Sequence, residues 1–141
     1  MHHEFAHILH QKKNYPVEFN QLSLGLYDPL GWQYKTTSEA ASLGFASPYG
    51  RSAIREDFVE IIANYLVKSD ADWNKLLDMG TKPGIDSNGV IQADDGVNGK
   101  AIILQKLAMA TKWLKDSWSI DIVKLRAEIM TREAHINEIL N

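Results

Sequence analysis

The first residues of the chain hold the types that could do chemistry. His3-Glu4-Phe5-Ala6-His7 reads H-E-x-x-H, and four of the chain's five histidines fall within its first ten positions. On a helix, His3 and His7 lie one turn apart on one face, so both imidazoles can reach a single metal ion. Glu4 stands beside them, placed to take a proton from a water activated there. Two histidines are one ligand short of the three that a hydrolytic zinc centre takes from protein, with the fourth position open to water.

Two spacings for the third ligand can be tested on the chain. The metzincin spacing needs a glycine three residues after the second histidine and another histidine three further on. His10 and Lys13 occupy those positions, so this spacing fails. The other spacing takes a glutamate from a later helix. Glu56 and Glu60 are four apart and share a helical face. Glu56 could bind the metal, while Glu60 could accept the N–H of a ligating histidine and fix its ring and tautomer. Asp57 points to another side of the same helix and is the weaker choice. His10 shares the face of His3 and His7, but one continuous helix does not wrap three imidazoles around a tetrahedral ion. It is expected to pack behind the ligands.

The elements that must position these groups are helical. Residues 2–13 form the first helix, with Phe5, Ile8 and Leu9 available for packing, and Asn14-Tyr15-Pro16 ends it. Residues 16–50 are mostly irregular, with short helices near 16–22 and 38–43. A long connection of this kind is usually functional. The second strong helix covers 52–68, with Ser52 as its N-cap and Ile54, Phe58, Ile61, Ile62 and Leu66 as its apolar stripe. A short helix at 71–79 closes at Gly80. Residues 81–99 are rich in Gly and Asp, with turns at Pro83-Gly84, Asn88-Gly89 and Asp95-Gly96 and a brief extended stretch at Val90-Ile91. Helices at 100–118 and 120–140 complete the chain, the last capped by Asp121. The fold class is mainly α, either all-α or the helical half of an α+β domain.

Composition removes several alternatives. A formal charge of −3, with no basic run, offers no footprint for nucleic acid. The absence of cysteine excludes disulfides and thiolate metal sites. No apolar run approaches a membrane span. The acidic stretch from Asp86 to Asp95 lacks the glycine and distal glutamate of a calcium loop and reads as solvated turns. Trp113 and Trp118 read as core.

Pro48-Tyr49-Gly50-Arg51-Ser52-Ala53-Ile54-Arg55-Glu56-Asp57-Phe58-Val59-Glu60 resembles a segment of the anthrax lethal factor catalytic domain. There a Tyr-Gly-Arg precedes the glutamate ligand by the same interval, and a second glutamate follows four residues later. His3 to His7 matches the motif helix of that domain, with Ala in place of Gly. The run His2-His3-Glu4-Phe5-Ala6-His7-Ile8-Leu9-His10-Gln11 is more closely similar to zinc-binding metallopeptidases found as bacterial surface lipoproteins and associated with outer-membrane nutrient import. The resemblance covers the first helix and the 52–68 helix and, more loosely, the C-terminal helices.

What the resemblance implies is specific. His3, His7 and Glu56 would ligate Zn2+, Glu4 would act as general base, and Glu60 would support a ligand. Tyr49 would direct its phenol at the oxyanion of the tetrahedral intermediate. Peptidases of this type place a substrate-holding sheet before the motif helix, and Met1 stands only two residues ahead of His3. Residues 1–141 are therefore expected to form one unit, the helical C-terminal part of a zincin-like domain without its sheet-bearing N-terminal part. A first helix bare on that side is expected to self-associate or to leave the N-terminus disordered. The function implied is zinc-dependent hydrolysis of a peptide or protein substrate by an exported lipoprotein at the cell surface or periplasmic face, with outer-membrane import components as partners. The alternative is a catalytically idle module that binds zinc, protein or glycan on the same scaffold.

Overall fold

Polar side chains at the starts of several helices answer the N–H groups that a first turn leaves unpaired. Thr36 accepts from the amide of Glu39 while the Glu39 carboxylate accepts from the amide of Thr36, a reciprocal capping box. Ser69 accepts from Asp72, and Asn98 from Ala101. Asp121, the expected cap of the last helix, accepts from both Val123 and Lys124. The computed structural model describes residues 2–140. Among them are seven α-helices: α1 (His2–Lys12), α2 (Phe19–Leu22), α3 (Thr37–Ser42), α4 (Ile54–Val67), α5 (Asp70–Gly80), α6 (Gly99–Trp118) and α7 (Ile122–Leu140). Two 3-10 turns, Trp32–Tyr34 and Tyr49–Ser52, interrupt the long connection between α2 and α4. The described residues contain no strand, only an isolated antiparallel bridge between Ile85 and Ile91. The mainly α expectation holds.

Helices α1, α6 and α7 and the Tyr49–Ser52 turn pack directly on α4. Phe58, Val59, Ile62 and Leu66 share one apolar cluster with Ala6 and Leu9 of α1, with Phe19, and with Trp113 and Leu114 of α6. Ile61, on another side of α4, belongs to a second cluster with Trp73, Leu76 and Leu77 of α5 and Ile103 of α6. Burial of these side chains is the dominant favourable term of folding. Gly99 lets the start of α6 rest on the backbone of α3, since a Cβ there would run into the carbonyl oxygen of Ala41.

Three expectations are corrected. Ser52 does not cap α4. Residues 49–52 wind into a 3-10 turn held by Gly50 N–H to Ser47 O and Arg51 N–H to Pro48 O, and the Ser52 hydroxyl is buried without a partner. Ala53 takes the cap position, and Glu56 and Asp57 place negative charge in the first turn, where the helix dipole favours it. On α1, Ala6 and Leu9 are buried, but Phe5 and Ile8 are exposed. On α7, Ile122 is buried and Leu125 and Ile129 pack partly, whereas Ile136 and Leu140 face solvent. Residues 131–140 are exposed throughout, because no described element lies opposite them.

The most unusual element of the interior is polar. Asp57 and Lys106 are fully buried and paired, with Lys106 Nζ 2.8 Å from Asp57 Oδ2. Tyr27 donates its phenol to the same oxygen at 2.6 Å. Lys106 donates to the carbonyl of Gly44 at 2.7 Å and lies 4.0 Å from the centroid of the Phe45 ring. This constellation pins α4 to α6 and to the segment before the Tyr49 turn. With Asp57 held inward, Glu56 and Glu60 turn toward α1.

Candidate metal centre

Packing of Ala6 and Leu9 against Phe58 and Ile62 sets the His3/His7 face of α1 opposite the Glu56/Glu60 face of α4. His7 Nε2 lies 3.0 Å from His3 Nε2 and 3.0 Å from Glu56 Oε2. His3 Nε2 lies 3.2 Å from the same carboxylate oxygen. Among the described residues, His3, His7 and Glu56 form the cluster able to hold a metal ion. Nitrogen and oxygen ligands about 2.0–2.1 Å from a tetrahedral zinc stand about 3.3 Å apart. The observed triangle is close to that edge length, and its nitrogen–nitrogen–oxygen donor set suits zinc.

The outer ring nitrogens fix the tautomers. His3 Nδ1 is 2.9 Å from Glu60 Oε2. A carboxylate only accepts, so Nδ1 carries the proton, and Nε2 is the ring nitrogen left to face a metal. His7 Nδ1 is 2.8 Å from His10 Nε2. If Nδ1–H of His7 donates there, its Nε2 is likewise free, and His10 must be neutral to accept. Burial lowers the His10 pKa and favours that neutral form. His10 therefore stands behind His7, and its ring in turn meets Tyr15 edge to face.

The remaining candidates ring this triangle. Glu4 is largely exposed, with Oε1 3.9 Å from His3 Nε2, at the open side of the cluster. The Tyr49 ring centroid is 5.8 Å from that of His3. Its pKa is raised, first by burial and then by the Glu56 and Glu60 carboxylates, so the phenol keeps its proton and can donate. Trp32 meets Tyr49 edge to face at 4.9 Å. Arg51 fixes the loop: its Nε and terminal nitrogen donate to the carbonyl of Leu26 at 3.3 and 3.2 Å. Asp57 takes no part in the cluster and is committed to Lys106.

Two residues near the site have no sequence signature. Ser47 donates to Glu60 Oε1 at 2.6 Å, and Trp32 backs Tyr49 from a separate turn. Neither repeats at a helical interval from a ligand. Lys106, by contrast, was detectable in principle, because it lies between Ile103 and Ala110 on the buried stripe of α6.

A His–His–Glu donor set on two packed helices has the composition that a three-ligand zinc centre takes from protein. The chain belongs to the family described as "Putative zinc-binding metallo-peptidase", whose sequence model matches residues 1–123. It is similar to the crystal structure of a "putative zinc-binding metallo-peptidase" from Bacteroides caccae ATCC 43185, with 44% identity and a TM-score of 0.84. That match covers 98% of this chain and 47% of the other, so the chain spans about half the length of that relative. No curated protein matches it.

Proposed function

We propose that these residues form the catalytic centre of a zinc-dependent peptidase, with His3, His7 and Glu56 as ligands. The observation that carries the reading is the convergence of His3 Nε2, His7 Nε2 and Glu56 Oε2 at 3.0–3.2 Å. His3, His7 and Glu56 would hold a zinc ion that would supply a Lewis acid for a carbonyl and for a bound water, whose pKa such an ion lowers toward about 7. Glu4, exposed beside the cluster, takes the proton of the attacking water and delivers it to the leaving amine. Tyr49 donates its phenolic hydrogen to the oxygen that gains charge during attack. Glu60 holds the His3 ring by accepting Nδ1–H.

Glu4→Gln tests the reading in the natural gene product. The variant should keep stoichiometric zinc while its kcat for peptide hydrolysis falls by about 10²–10⁴-fold. Undiminished cleavage would remove Glu4 from the mechanism. A wild-type protein that binds zinc and cleaves no peptide would leave the capture module as the better reading.

The setting belongs to the same proposal. Likeness of the His2 to Gln11 run to surface lipoproteins supports an exported peptidase working beside an outer-membrane nutrient-import system. Fractionation of cells expressing the natural gene product should place it with the envelope. Recovery wholly in the cytoplasm would refute that placement.

A further inference from the structure

The two oxygens of the Glu60 carboxylate have different partners. Oε2 faces His3 Nδ1 at 2.9 Å, and Oε1 faces the Ser47 hydroxyl at 2.6 Å. The hydroxyl also lies 3.1 Å from the amide nitrogen of Gly50, in the turn that carries Tyr49. An amide can only donate, so the Ser47 oxygen accepts from Gly50 and its single proton is directed at Glu60. Gly50 itself rests on α4, and even an added Cβ would sit 3.6 Å from Asp57 Cα and 3.7 Å from Glu60 Cβ.

We propose that Ser47 is a positioning residue of the metal centre, setting the Glu60 carboxylate, and through it the His3 ring, in register with the Tyr49 turn. The inference rests on the reading of His3 as a zinc ligand. Its physical basis is the geometry of a carboxylate with one free rotation at its end. With Oε2 alone engaged, the Glu60 plane can rotate about its bond to His3, and the imidazole can follow. With Oε1 also engaged, both oxygens are fixed, and the Nε2 lone pair of His3 is aimed at one point. The side chain of Glu60 is only 16% exposed, so water is a poor substitute for the lost hydroxyl. Ser47 thus ties a group that binds the metal to one placed for the reacting oxygen, although it touches neither.

Zinc affinity, measured by competition with a chromophoric chelator, tests this without recourse to activity. Partners that orient a metal ligand are typically worth about 10–100-fold in affinity, and Ser47 acts one step further out. Ser47→Ala should therefore raise the zinc Kd about tenfold. Ser47→Thr, which keeps the hydroxyl, should restore it. In a Glu60→Gln background, Ser47→Ala should cost nothing more, because the link it serves is already changed. The Nδ1–H resonance of His3 should also shift or broaden in Ser47→Ala and recover in Ser47→Thr. Wild-type affinity in Ser47→Ala overturns the proposal, as does a loss that Thr fails to restore or that adds fully to Glu60→Gln. If circular dichroism shows Ser47→Ala unfolded, Ser47→Cys has the same shape with a weaker donor and should show the loss. A His3→Ala variant that still binds zinc at wild-type affinity would instead sink the metal-site reading, a different failure from that of Ser47.

Discussion

Glu56→Ala should strip zinc from the protein, raising its Kd by more than about a hundredfold, since even orienting partners are worth about 10–100-fold. Glu56 is only 8% exposed, and its Oε2 lies within 3.2 Å of both His3 Nε2 and His7 Nε2. No described neighbour can take its place. Asp57 is bound to Lys106 and Tyr27, Glu60 is engaged by His3 and Ser47, and Glu4 reaches no nearer than 3.9 Å to His3. Two histidines alone would leave zinc with half a tetrahedron and no neutralising charge. The measurement is metal content after dialysis against buffered zinc, with chelator competition for the constant. Stoichiometric zinc at unchanged affinity would show that the third ligand lies elsewhere.

Lys106→Met is the second large effect, and it acts on stability. The substitution removes the cation paired with a fully buried carboxylate, a change that typically costs about 3–5 kcal/mol. For a chain of this size that lowers the thermal midpoint by on the order of 10 °C. Tyr27 remains to donate one hydrogen bond, and Oδ1 of Asp57 has no partner even in the native arrangement. Restoring a neutral interior with Asp57→Asn alongside Lys106→Met should recover part of the loss. A single variant as stable as the wild type in thermal and urea denaturation would show that the pair does not anchor α4.

Within this pair, Asp57 contributes a pH dependence of definite sign. Burial pushes the Asp57 carboxyl up to about 6, against the downward pull of Lys106 and Tyr27. Its unfolded value is about 3.9, so between pH 4 and 6 the folded chain binds more protons at this group than the unfolded chain does. The contribution of Asp57 to stability is therefore greatest in acid and declines as pH rises through about 6. Carbon-13 titration of the Asp57 carboxyl should show a midpoint near 6, and the Asp57→Asn chain should lack that component of the pH profile.

The parts of this molecule legible from sequence are those with a period. His3 and His7, and Glu56 and Glu60, stand four apart, and the structure places the two pairs face to face because apolar residues on the same helices repeat alongside them. The major helices were readable from their stripes and from the glycines and prolines between them. Ser52 misleads because a Ser before an apolar run looks the same whether the preceding residues are extended or wound into a 3-10 turn. Only the docking of Gly50 on α4 decides that. The burial of Asp57 with Lys106 depends on two residues 49 apart in number meeting in the interior, and charge in a sequence reads by default as surface. The far half of α7 misled in the opposite direction, with apolar residues and no described element to receive them.

Helix α1 buries only Ala6, Leu9 and His10, a light attachment for the element that carries two proposed ligands. The contact between His7 and Glu56 joins positions 49 apart in the chain. An ion seated there is thus also a cross-link, closing a long loop that apolar contact alone closes weakly. Free zinc at a hundred times the Kd would add about 2.7 kcal/mol to the folded state. Much of that would hold the first helix in place. Occupancy of the centre and docking of α1 become one equilibrium, so metal scarcity would undo the site's architecture along with its chemistry.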